Sequence, residues 1–182
     1  MQATKAMQSS KIDTKAVALT AMFAALVMTA TAFIKIPAPL GYVHAGDSVV
    51  FLSACVLPGP LGFLAAAIGG ALADIISGYA VWALPTAIIK ALNVLPFFIV
   101  RLILKRKNKD QRILSPAIIA AFTASMAVTV GGYYAADALL YDYTAALAEI
   151  PFNSMQAVIG TVLFVALALA LDAVKLKQKL FR

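Results

Sequence analysis

Chemically versatile side chains are scarce in this chain. Its 182 residues include one cysteine, one histidine, one tryptophan and eight carboxylates. The single thiol, Cys55, lies in an apolar run, where it acts as a small hydrophobe and excludes a disulfide framework. His44 has no second histidine and no spaced Cys or carboxylate set beside it, so no metal site is expected. The sequence contains no HExxH, no GxSxG and no phosphate-binding Gly-rich loop with lysine. No nucleophile–base pair stands out either, so neither catalysis nor a cofactor is expected. Moving a solute uphill would require an ion gradient or a partner, since the chain lacks a nucleotide-hydrolysing site of its own.

Apolar residues, in contrast, are abundant. They make up 63% of the chain and the mean hydropathy is +0.92. A soluble domain of this length has too little interior to hide that much apolar surface, whereas a membrane protein has no such need. Six apolar segments cover about 16–34, 42–57, 61–77, 81–104, 113–140 and 151–174, and a helix needs roughly 20 residues to cross the hydrocarbon. The expectation is a single all-α domain over 1–182 with six transmembrane helices. The second segment is the weakest. It spans only with His44 and Asp47 at its outer end, or else forms a re-entrant hairpin with the third through Pro58-Gly59-Pro60. No internal repeat or low-complexity segment interrupts the pattern.

The charge of +7 does not point to nucleic acid, because the basic residues cluster at segment ends without interleaved aromatics. Lys5, Lys11 and Lys15 precede the first segment; Arg101, Lys105, Arg106, Lys107, Lys109 and Arg112 lie between the fourth and fifth; Lys175, Lys177, Lys179 and Arg182 follow the sixth. These thirteen of the fifteen Lys and Arg residues fall on one side, the cytoplasm by the positive-inside rule. Both termini are then cytoplasmic in a multi-pass cell-membrane protein, with a polar segment at 1–14 and a basic loop at 105–112. That loop reads as a solvated topology signal, or as a contact for anionic lipid or a cytoplasmic partner.

Polar groups inside a membrane are costly and mark the places to look for function. On the fourth segment Trp82, Thr86, Lys90 and Asn93 share one helical face. Lys90 falls near the midplane, where it pairs with a carboxylate such as Asp74, snorkels, or meets a ligand. The fifth segment places Thr129, Tyr133 and Asp137 at four-residue steps. The sixth opens with Pro151, followed by Asn153, which is a helix cap or a site residue, and Gln156. Three polar faces at one depth predict an outward-facing pocket. The first outer loop, IKIPAPLGYVHAGDS, carries His44 and Asp47 and could cover that pocket as a lid; Asp47 also suits an N-cap. In GPLGFLAAAIGGALAD, Gly62, Ala66 and Gly70 form one small-residue face, and Ala65, Gly69 and Ala73 another, both suited to close helix packing. Ala21 and Ala25 form an Ala-xxx-Ala pair on the first segment, either packed inside or left flat for another membrane subunit.

Together, the segments GYVHAGD, GPLGFLAAAIGGALAD and GYAVWALPTAIIK, in that order within 36–93, resemble the substrate-binding S components of energy-coupling factor (ECF) vitamin transporters. The six-segment layout extends the resemblance to nearly the whole chain. It implies a small membrane protein that binds a water-soluble vitamin from outside. It also implies docking through Ala21 and Ala25 on a membrane coupling (T) subunit driven by two cytoplasmic ATPase subunits, and inward delivery by toppling. The nearest group is the one assigned to hydroxymethylpyrimidine or vitamin B6 compounds. Trp82 would then stack on a heteroaromatic ring, and His44, Asp47, Lys90 and Asn93 would satisfy its nitrogens and hydroxyls. Pantothenate or riboflavin is the alternative cargo. From another class, a stand-alone carrier would use Lys90, Asp74 and Asp137 as an ion relay.

Overall fold

The computed structural model describes residues 13–107, 109, 110 and 112–180. Lys5, Lys11, Arg182 and most of the expected cytoplasmic segment lie outside these residues. The described chain is almost entirely helical: α1 (Thr14–Phe33), α2 (Gly46–Val56), α3 (Leu61–Ile76), α4 (Ala83–Arg106), α5 (Pro116–Leu140), α6 (Tyr143–Ala173) and a short α7 (Leu176–Leu180). The all-α expectation omitted one feature, an antiparallel hairpin of β1 (Lys35–Pro37) and β2 (Tyr42–His44), with Lys35 opposite His44.

Local sequence starts three of the long helices. Asp13, Ser115 and Asp142 sit in extended backbone ahead of α1, α5 and α6, and each side chain accepts from a first-turn amide. Those amides have no partner within the helix, so each cap satisfies donors that would otherwise be orphaned. Pro116 opens α5 at a position where its missing N–H costs nothing. The sixth segment begins earlier than its proline suggested. α6 starts at Tyr143, and Pro151 lies inside it, so Asn153 is not a helix cap. Prolines are tolerated within membrane helices because neighbours can satisfy the freed carbonyl. Likewise α4 continues through Arg101 and Lys105 to Arg106, so the basic run begins on the helix rather than in the loop.

Four helices, α1, α4, α5 and α6, are long and apolar enough to cross a membrane; α2 and α3 are shorter. Large apolar side chains such as Leu84, Leu139, Val162 and Leu169 are exposed on the outside, a surface suited to lipid rather than water. The 11-residue α2 is only about 16 Å long, roughly half the hydrocarbon thickness. It is buried along nearly its whole length, in the middle of the bundle. Its last carbonyls are met by Arg101, whose Nη1 donates to Ala54 O at 2.6 Å and Leu57 O at 2.8 Å. A cation at a helix C-terminus offsets both the orphan acceptors and the helix dipole.

The two small-residue faces of α3 serve two neighbours. At Gly69 a Cβ would fall 2.6 Å from Ala24 O of α1, and at Gly70 3.0 Å from the Thr86 methyl of α4. Below them, Phe51, Phe97, Phe122 and Phe164, one from each of α2, α4, α5 and α6, form an aromatic core with centroids 4.8–6.2 Å apart. All the described basic residues except Lys35 and Lys90 gather beyond this core. Asp110 joins Arg101 at 3.4 Å and Lys177 at 2.5 Å, and Lys15 reaches Leu180 O. The hairpin lies at the opposite end.

Candidate functional site

The hairpin roofs a cleft between α3, α4, α5 and α6. Its tip is tied down by Leu40 N, which donates to Glu149 Oε1 at 2.8 Å. Its second strand is tied by the Tyr42 hydroxyl, which donates to Asp74 Oδ1 at 2.6 Å. Lys35 lies 4.2 Å from the centre of the Tyr42 ring and donates to Ser77 Oγ at 2.7 Å. Burial, followed by the Asp74 carboxylate, raises the Tyr42 phenol well above its usual range, so Tyr42 remains a donor.

The floor is an ion pair. Lys90 Nζ donates to Asp47 Oδ1 at 2.5 Å, and both side chains are fully buried. Gln156 Nε2 donates to Asp47 Oδ2 at 3.1 Å, and Lys90 lies 5.2 Å from the Tyr133 ring centre. α2, α4 and α6 thus converge on one carboxylate. The close approach of α6 depends on Gly160, where a Cβ would lie 2.7 Å from that of Asp47. The partner of Lys90 is therefore Asp47, not Asp74. Asp47 is also not the N-cap of its helix: Ala45 holds that place, without a side-chain cap bond. His44 serves instead, its Nδ1 accepting from Gly46 N at 3.1 Å. Burial, and then the nearby Lys90 charge, lower the His44 imidazole to about 3, so it is neutral near pH 7 with Nδ1 as acceptor.

Further down, Asn93 and Thr129 interlock. Asn93 Nδ2 donates to Thr129 Oγ1 at 2.9 Å, and Ser125 Oγ donates to the Asn93 carbonyl at 2.8 Å. These bonds join the polar faces of α4 and α5.

Between roof and floor is a cavity of about 450 Å³ of empty space, part of it open to the outside. That volume is toward the small end of ligand pockets, which run roughly 300–1,000 Å³. His44, Trp82, Thr86, Tyr133, Asp137, Asn153 and Gln156 all line it. Asp47, Lys90 and Asn93 do not; they are wholly buried beneath it. Tyr42, Asp74, Tyr79 and Glu149 also face the cavity, although the sequence offered Asp74 only as a partner of Lys90 or part of an ion relay and did not single out the other three. Two of these had a signal. Asp74 lies four residues beyond Gly70, on the face of α3 that packs against α4, and Glu149, Asn153 and Gln156 share a helical face once α6 is seen to start before Pro151. The indole Nε1 of Trp82 donates to the Tyr141 hydroxyl at 3.3 Å, and its ring lies 5.9 Å from that of Tyr133. Far from the cleft, Ala21 and Ala25 are exposed on α1, opposite the buried Phe23, Ala24 and Val27.

Residues 11–173 match the family model described as "ECF-type riboflavin transporter, S component". The chain is also similar to a protein of Pyrococcus woesei described as "Uncharacterized protein in gap 3'region". The two are 38% identical over 141 residues, covering 77% of this chain and 88% of the other.

Proposed function

Because this chain belongs to the S-component family of ECF-type transporters, we propose that it is the high-affinity subunit for hydroxymethylpyrimidine or a vitamin B6 compound. The observation that carries this reading is the roofed, aromatic-walled cleft at the hairpin end. There the Trp82 ring takes the heteroaromatic face, and His44, Thr86, Asn153 and Gln156 supply hydrogen bonds. Tyr133 and Asp137 complete the wall. Asp47, Lys90 and Asn93 act from below, by holding the floor and the α4–α5 seam in place. The small volume of the cleft favours a cargo with a single ring. Riboflavin, named in the description of the matching family model, is the second reading. A relay through Lys90, Asp74 and Asp137 has less support, because Lys90 is occupied by Asp47 while Asp74 bonds to Tyr42.

The hairpin end faces outward and the basic end faces the cytoplasm, as the positive-inside rule requires. The exposed Ala21 and Ala25 dock on a membrane coupling subunit carrying two cytoplasmic ATPases, and toppling of the loaded chain delivers the cargo. The test is Trp82 fluorescence of the purified, detergent-solubilised protein titrated with vitamins and their precursors. The expected result is one tight binder at 1:1 stoichiometry among the pyrimidine and pyridine compounds. Transport by the chain alone in liposomes would favour the carrier instead.

A further inference from the structure

Three helices each bring a carboxylate to the cleft: Asp74 from α3, Asp137 from α5 and Glu149 from α6. No lining side chain balances them. His44 is uncharged, Lys90 forms the floor with its charge matched by Asp47, and Lys35 is engaged with Tyr42 and Ser77 at the rim. Asp74 is only 5% exposed. Its Oδ1 is occupied by Tyr42, whereas its Oδ2 is buried and completes no hydrogen bond of ordinary geometry among the described residues, with the Thr86 hydroxyl beside it. Asp137 is buried, makes no side-chain hydrogen bond among the described residues, and is close enough to Glu149 for the two to repel. Carboxylates left in a desolvated site without a counter-charge are costly, and an entering cation relieves that cost. The same cleft is walled by Tyr42, Tyr79, Trp82 and Tyr133, whose ring faces attract positive charge.

We propose that the cleft selects a cation: a small heteroaromatic ring bearing an ammonium group, which narrows the cargo proposed above to the amines of those ring classes rather than the alcohols. The positive group sits between Asp137 and Glu149, and an N–H of the ligand donates to Asp74 Oδ2. This rests on the cleft being the cargo site and narrows its cargo to one charge class. An anionic vitamin such as pantothenate is excluded, because its carboxylate would meet three others.

The test is calorimetric titration of the full-length protein at neutral pH with three compounds sharing one ring. Pyridoxamine carries an ammonium, pyridoxine an alcohol and 4-pyridoxic acid a carboxylate. A second pair, the 5-aminomethyl and 5-hydroxymethyl forms of 4-amino-2-methylpyrimidine, repeats the comparison on the other ring. On at least one ring the amine is expected to bind about tenfold tighter than the alcohol, with the acid weakest. The Asp137→Asn, Glu149→Gln double variant should bring the amine-to-alcohol ratio close to one, and Asp74→Asn should weaken binding of both. Equal or tighter binding of the alcohols overturns the charge preference while leaving the cleft as the cargo site. So does a preference that survives the double variant, or tighter binding of riboflavin or pantothenate than of any amine. Silence across every compound, with the protein folded by thermal unfolding, overturns both the inference and the cargo reading beneath it.

Discussion

The two ends of the bundle treat buried polarity in opposite ways. At the basic end, the charged groups that enter the interior are paired, with Arg101 Nε the one buried side-chain atom there left over among the described residues: Arg101 meets two α2 carbonyls and Asp110, Asp172 accepts from Ile113 N and Leu114 N, and above them four phenylalanines close the core. At the hairpin end, carboxylates and rings surround a space, and among the described residues one Asp74 oxygen completes no hydrogen bond of ordinary geometry. A fold gains nothing from such a group unless something else completes it. One half of the chain is therefore built to be a rigid body, and the other to be finished by a ligand. The Lys90–Asp47 pair lies at the boundary and belongs energetically to the rigid half.

The sharpest test of that boundary is Lys90→Ala. It leaves Asp47 buried and uncompensated and should cost about 3–5 kcal/mol, read as a large drop in thermal or denaturant stability in detergent. A loss near zero would mean water reaches Asp47, and the floor would then belong to the binding half. Next is Phe97→Ala at the centre of the aromatic core, expected to cost about 3 kcal/mol while leaving the affinity of the surviving folded protein unchanged. Trp82→Ala should weaken cargo binding about tenfold through loss of ring stacking. Titration with a fluorescent or labelled cargo measures it, since the intrinsic probe is lost. Unaltered affinity would remove Trp82 from the site.

Acid should find the hairpin end first. An unfolded His44 takes up a proton near its usual pKa of about 6.5, while the folded one resists until about 3. The unfolded state binds the extra proton between those values, so the stability conferred by the neutral imidazole is complete above pH 6.5 and is lost as pH falls. The slope is roughly 1.4 kcal/mol per pH unit. His44→Asn should flatten this slope, and an unchanged slope would assign the acid sensitivity to the carboxylates. The smallest thermodynamic effect should come from Ala21→Trp with Ala25→Trp. Both positions are exposed, so stability and cargo affinity should hold while uptake by the assembled transporter is lost. Weakened binding in a folded double variant would break that division of labour.

Much of this architecture was legible in the sequence, and the reasons for what was not are physical. Apolar length located α1 to α6 but not the short α7, and glycine spacing predicted that α3 packs closely on two sides. Helical periodicity put Trp82 and Thr86 on one face and Tyr133 and Asp137 on another, because residues three or four apart must share a face. Periodicity says nothing of which helices become neighbours, so Lys90 was matched with Asp74 when α2 instead brings Asp47 to it. Reading Pro151 as a helix start placed Glu149 in a loop. In fact two turns of α6 precede that proline, which puts the carboxylate in the wall of the cleft. The hairpin escaped notice because three-residue strands are too short to show alternation, and its prolines and glycine read as turn.

Gly160 carries a lesson for inheritance. Every amino acid substitution there adds a Cβ, and that atom would fall 2.7 Å from the Cβ of Asp47, where real side chains do not go. A missense change on α6 would thus displace the carboxylate that answers Lys90 on α4, although residue 160 touches no cargo. Lineages are free to revise the cleft wall to suit a new nutrient, but position 160 must stay bare for the floor beneath it to stand.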